Sequence, residues 1–149
     1  MADISTVWSS TGTSGDWVLT SNGADLQGGD DVVTGVLISL FTDRLANIDD
    51  TIPDGTTDPR GWIGDLGQEY LIGSRLWLLS RAKLTLATGP LAAGYAKEAL
   101  QWMLDDGVVA KFDIATQVLL PKQLNMQVIA YKQDGTKIPM NFTNAWAGV

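Results

Sequence analysis

Gly107-Val108-Val109-Ala110-Lys111-Phe112-Asp113-Ile114-Ala115-Thr116-Gln117-Val118 is where the apolar spacing changes from helical to alternating. Val108, Ala110, Phe112, Ile114, Thr116 and Val118 alternate with Val109, Lys111, Asp113, Ala115 and Gln117, the period of a half-buried strand. Leu124, Met126, Val128 and Ala130 continue the pattern beyond a Pro121 turn. Asp134-Gly135 is a hairpin signal that returns the chain as Lys137 to Thr143, with Ile138, Met140 and Phe142 on one side. The reading predicts a three-stranded antiparallel meander over 108–143.

Upstream of this change the period is helical. Pro90 suits the first position of a helix and Gly107 the position just past its end. Between them Ala92, Tyr95, Ala96, Ala99, Trp102 and Met103 form an apolar face at three-and-four spacing. A shorter helix is predicted over Ser74 to Lys83, capped by Ser74, with Leu76, Trp77 and Leu79 inward and Arg75, Arg81 and Lys83 outside. Val32, Val33, Val36, Leu37, Leu40 and Phe41 make a further helical stripe with Asp30 or Asp31 as cap; Gly35 and the β-branched content are the features that favour a strand there. Ile4–Trp8 and Asp16–Leu19, separated by a Ser/Thr/Gly turn, read as a small hairpin or as an arm that orders on a neighbour.

The predicted fold class is therefore α+β, with the C-terminal meander packed against two or three helices. One domain is predicted over 1–149: an N-terminal arm or hairpin over 1–28, helices and an ordered loop over 30–106, and the meander over 108–143. A chain of 149 residues buries roughly 68–70% of its unfolded surface, enough for a core without staples.

Composition narrows the chemistry. The chain has no cysteine, so disulfides, thiolate metal sites and cysteine nucleophiles drop out, and a reducing compartment fits. It has no histidine, which removes the commonest general base and metal ligand. A net charge of -7 argues against nucleic-acid binding. No basic-then-apolar N-terminal segment and no apolar run of membrane-spanning length are visible, so a soluble protein with no signal peptide and no membrane partner is expected. No glycine pattern matches a phosphate loop and no acidic cluster has calcium-loop spacing, so no cofactor, metal or catalytic residue is assigned.

The segment between the first two helical stretches holds the candidate site. Asp58-Pro59-Arg60-Gly61-Trp62-Ile63-Gly64-Asp65 and Gly73-Ser74-Arg75-Leu76-Trp77-Leu78-Leu79 are too rich in Gly, Pro and Asp for regular structure and too rich in Trp and Ile for a loose linker. Two readings stand side by side. In one, Trp62 and Trp77 are core and Arg60 and Arg75 pair with Asp58, Asp65 or Asp43 to hold the loop down. In the other, the Trp and Arg residues form a recognition surface. Asp58, Asp65 and Glu69 also supply the carboxylates from which a glycosidase pair would be chosen.

These stretches, together with Leu37-Ile38-Ser39-Leu40-Phe41-Thr42-Asp43-Arg44, Pro53-Asp54-Gly55, Tyr95-Ala96-Lys97-Glu98-Ala99-Leu100-Gln101-Trp102 and Asp105-Asp106-Gly107, resemble the small baseplate protein family of Mu-like contractile-tailed phages. That family is similar to the broader sheath-initiator group of baseplate wedge proteins, some of which carry a lysozyme name. The resemblance implies a structural, non-enzymatic subunit of the virion tail baseplate, assembled in the bacterial host cytoplasm and present in six copies around the tail tube. Its implied partners are baseplate wedge proteins and the tail sheath protein, with the tail tube or hub among further contacts. It also implies that an exposed edge of the 108–143 meander templates the sheath by strand addition. The alternative it leaves is a lysozyme-like hydrolase of cell-wall glycan.

The interface carried over comprises Asp58, Arg60, Gly61, Trp62, Asp65, Gly73, Arg75 and Trp77, to which the C-terminal aromatic Trp146 is added as an anchor for the sheet or a partner. The Glu-Pro-Arg motif of the broader group is absent, since Leu104-Asp105-Asp106-Gly107 stands in its place.

Overall fold

Small residues set how closely the layers of this protein approach. A Cβ added to Gly35 would lie 3.3 Å from Met103, and one added to Gly89 would lie 3.1 Å from the Thr116 hydroxyl. Gly35 thus marks a close helix–helix approach and not a strand. The computed structural model of the chain describes residues 3–12, 14–21, 23, 28–81 and 83–147.

Helix α1 (Asp31–Phe41) starts where Asp30 accepts the Val32 N–H at 2.8 Å, and it buries Val32, Val36, Leu37 and Leu40. Helix α2 (Thr88–Asp105) buries Ala92, Ala96, Ala99, Leu100 and Met103, with Tyr95 and Trp102 half-buried at the margin. The buried Ser39 hydroxyl accepts the Trp102 indole N–H at 2.9 Å and joins the two helices. The two helices share one core with an antiparallel sheet whose strands lie in chain order.

Among the described residues four short strands precede that sheet. Strands β1 (Asp3–Ile4) and β4 (Gly28–Gly29) pair with each other, as do β2 (Thr6–Ser9) and β3 (Ser14–Trp17). The meander is β5 (Lys111–Leu119), β6 (Gln123–Tyr131) and β7 (Lys137–Ala147), with β6 central. Leu124, Met126, Val128 and Ala130 on β6 are buried, as the alternation predicts.

The structure differs from the periodicity at three points. First, the strand begins at Lys111 and not at Val108. Helix α2 closes through left-handed Gly107, whose N–H returns to the Leu104 carbonyl, and the Val109 N–H returns to Met103. Val109 is therefore buried and Val108 exposed, the reverse of the simple alternation. Second, β7 runs past Thr143 to Ala147. Pairing shifts between Met126↔Phe142 and Leu124↔Trp146, a bulge that passes the inward position to buried Ala145. Third, the helix predicted over 74–83 is a 3₁₀ turn, Arg75–Leu79, although Ser74 does cap it by accepting the Leu76 N–H.

The N-terminal segment is a docked hairpin. Trp8 stacks on Phe41 with centroids 4.0 Å apart, meets Phe142 edge-on, and donates its indole N–H to the Thr143 carbonyl at 3.1 Å within the bulge. The Thr34 hydroxyl donates to the Ile4 carbonyl at 3.1 Å. Trp8→Phe keeps the stack and removes the hydrogen bond, so a loss of about 1 kcal/mol is expected in chemical denaturation.

Acid should destabilise the fold. Burial raises the Asp30 pKa, but hydrogen bonds from Val32 and Val33 and the Lys132 ammonium, 3.1 Å away, bring it below the ordinary range. Asp113 is lowered by the Tyr131 hydroxyl and then by Lys111. Depressed carboxylates contribute stability that is full above their unfolded pKa of about 4 and is lost as pH falls through the folded values. The melting temperature is expected to fall progressively below about pH 4.

Candidate interaction surface

The chain between α1 and the 3₁₀ turn Arg75–Leu79 is an ordered loop zipped at its base. The Ser74 N–H donates to Thr42 O at 2.9 Å, the Arg44 N–H to Ser74 O at 3.1 Å, and the Ser74 hydroxyl to the Leu40 carbonyl. Gly73 permits this approach: its φ is +95°, and a Cβ there would stand 2.5 Å from the Thr42 carbonyl oxygen. Higher in the loop the Ala46 N–H donates to Pro59 O at 2.9 Å, and the Asp58 carboxylate accepts the Arg60 N–H at 2.9 Å.

Most of the predicted site residues brace this loop from within. Trp77 is 2% exposed and donates its indole N–H to Arg44 O at 2.7 Å. The Arg60 guanidinium lies 4.5 Å from the Trp77 ring centroid and donates to Asp43 at 2.7 Å, one of the three acids the sequence offered it. Arg75, expected outside, is instead half-buried against Asp50 at 3.0 Å and Glu98 at 2.9 Å, with Tyr95 beneath it. Desolvation works against its charge, but hydrogen bonds to Glu98 and Asp50 outweigh it and hold the guanidinium above its ordinary pKa. Asp65 accepts the Ile72 N–H at 3.0 Å.

What the brace presents outward is apolar. Trp62 is 49% exposed, Ile63 82% and Leu66 80%, and with Leu45, Leu71, Gly61, Arg60 and Asp65 they line an open groove of about 360 Å³. The Trp62 ring lies over Gly64, where an added Cβ would come within 2.3 Å of it. Of the eight predicted interface residues whose side chains are described, Trp62 is the large apolar one that faces solvent, while Ile63, Leu66 and Leu45 were not singled out from sequence. Their signal was there only as isolated aliphatics in a polar loop.

The three carboxylates considered for glycan chemistry are not gathered in one cleft. Asp65 lines the groove just described, and Glu69 lines a neighbouring cleft with Tyr70, Trp102, Glu98, Asp105 and Asp106. In that cleft Glu98 is committed to Arg75, and Asp105 accepts from Gln101 at 2.8 Å. Asp58 is turned to its own loop. Among the described residues no group of three or more acids is placed to hold a metal ion, and no helix is long and apolar enough to cross a membrane. Trp146 pairs through its backbone opposite Leu124, and its side chain lies outside the described residues.

The two sheet edges are unlike. Strand β5 pairs with β6 over nine consecutive positions without interruption and contains no proline. Strand β7 contains Pro139 and the bulge, and Trp8 occupies the Thr143 carbonyl.

A helical layer lies on a three-stranded sheet, and the braced loop beside it exposes an apolar groove. Residues 32–137 match the model of the Phage protein GP46 family, and the chain belongs to that family. It is 42% identical to the "Baseplate protein gp46" of Escherichia phage Mu over 149 residues, covering 100% of both chains. It is 30% identical to the "Mu-like prophage FluMu protein gp46" of Haemophilus influenzae over 148 residues, 99% of each. No solved structure gives a significant match.

Proposed function

We propose that this chain is a structural, non-catalytic component of a phage tail baseplate, in which the loop face around Trp62 docks on a neighbouring wedge protein. The observation that carries this reading is the exposed Leu45, Trp62, Ile63 and Leu66 groove on a loop whose base is braced by Arg60, Arg75 and Trp77. An exposed apolar patch that includes a Trp, carried on a braced loop, is the kind of arrangement from which interface hot spots are made. Full-length similarity to a protein named for the Mu baseplate supplies the setting.

The finer reading places six copies in a ring between the wedge and the first sheath ring, with β5 as the edge that accepts a sheath strand. An uninterrupted, proline-free edge suits strand addition, whereas a proline, a bulge and a capping side chain oppose it on β7.

Two variants test the two faces. Trp62→Ala should leave the melting temperature of the isolated chain within a few degrees while incorporation into tails falls about tenfold or more. Unfolding of that variant, or normal incorporation, counts against the docking face. Because the chain has no cysteine, single cysteines can be placed at Gln117 on β5 and Asn141 on β7. Cross-linking of the sheath protein to position 117 and not to 141 is expected, and the opposite pattern would assign the acceptor edge to β7.

A further inference from the structure

The docking face contains one atom that the fold leaves unused. Oδ2 of Asp65 is buried without a hydrogen-bond partner, the one side-chain polar atom in that condition among the described residues. A carboxylate oxygen removed from water without a donor is unfavourable, and a native structure that tolerates one calls for a reason. The loop's own cations do not supply it. Arg44 is engaged with the Leu71 carbonyl and Glu98, Arg60 with Asp43 and Asp54, and Arg75 with Asp50 and Glu98.

Asp65 also lines the groove formed by Leu45, Trp62, Ile63 and Leu66. We infer that this face selects a protein segment in which a Lys or Arg stands beside a bulky apolar residue. The apolar side chain fills the groove against Trp62, Ile63 and Leu66, and the cationic head donates to Asp65 Oδ2. Oδ1 stays with the Ile72 N–H, so that recognition and loop bracing use different oxygens. Oδ2 is covered in the free chain, so binding would include a local shift of the 3₁₀ turn Ile63–Asp65, whose N-terminus no side chain caps, while the contacts of Arg60, Arg75 and Trp77 stay in place. The charge is complementary in sign: the chain carries -7 overall, and a basic partner segment is drawn to it.

This inference rests on the docking reading above, and the test separates the two. A random peptide library is panned on the purified full-length chain, and binders are sorted by whether they lose affinity for Trp62→Ala. Trp62-dependent peptides are expected to carry Lys or Arg next to Leu, Ile, Phe or Trp. They should lose about tenfold or more on Asp65→Asn, the scale of one hydrogen bond to a charged group. Asp65→Asn should itself remain folded, because its amide oxygen still accepts from the Ile72 N–H.

Trp62-dependent peptides without a basic residue, or with equal affinity for Asp65→Asn, overturn the cation inference and leave the docking face standing. A library that yields no Trp62-dependent binder overturns both. Should Asp65→Asn fold poorly, the residue composition of the peptides selected on the wild-type chain decides the question alone.

Discussion

Trp77→Ala is expected to lower the unfolding free energy by about 4 kcal/mol, near the upper end for a buried aromatic. Three contributions are lost together. The ring is 2% exposed, so its removal leaves a cavity that the rigid turn around it closes only in part. Its indole N–H is the donor to Arg44 O at 2.7 Å, and without it that carbonyl loses this bond. The Arg60 guanidinium also loses the surface on which it rests. Trp77→Phe separates these contributions. It keeps most of the packing and removes the indole donor, so a loss of about 1–2 kcal/mol is expected for it. Urea denaturation of the two variants checks both figures, and near-wild-type stability of Trp77→Ala would show that the loop is held by other means.

Gly73→Ala is the second large effect, expected at about 3 kcal/mol or more. A φ of +95° is unfavourable for any residue with a Cβ, and here the Cβ would also meet backbone atoms, Thr42 O at 2.5 Å and Arg44 N at 3.0 Å. These atoms belong to the Asp43↔Ser74 bridge that closes the loop, so they cannot turn aside as a side chain would. Gly55 gives the control. It has φ +76° but open space around it, and Gly55→Ala should cost only about 1–2 kcal/mol. Equal losses at the two positions, measured by thermal melts, would mean that the close approach at Gly73 adds nothing.

Much of the fold was legible in the sequence because period and burial agree in it. The stripe from Val32 to Phe41, the face from Ala92 to Met103 and the alternation on β6 are each set by one element meeting one core. Boundaries failed where a local device breaks the period. Gly107 inserts a left-handed turn that moves the buried position to Val109, and the bulge near Thr143 changes which residues of β7 face in. Trp8 was hidden for another reason. Its hydrogen-bond partner at Thr143 is 135 residues away, and nothing in its polar neighbourhood points there.

The loop was found from sequence but could not be divided. Trp62 and Trp77 have the same residue type and similar Gly-rich neighbours, yet one is a solvent-facing lid over Gly64 and the other a buried post under Arg60. The difference lies in contacts with Arg44, Asp43 and Asp50, which come together only when the loop closes on the base of α1. A loop that braces itself with Arg60, Arg75 and Trp77 leaves the aliphatics Ile63 and Leu66 exposed beside Trp62.

The most direct measurement is a structure of the assembled tail at side-chain resolution, with this chain located by its tryptophans. The expected result is a neighbouring baseplate protein packed into the Leu45, Trp62, Ile63 and Leu66 groove, with Arg60, Arg75 and Trp77 in the internal contacts described above. A structure in which that groove faces solvent, and the chain meets its neighbours through other surfaces alone, would contradict the docking role assigned to the loop.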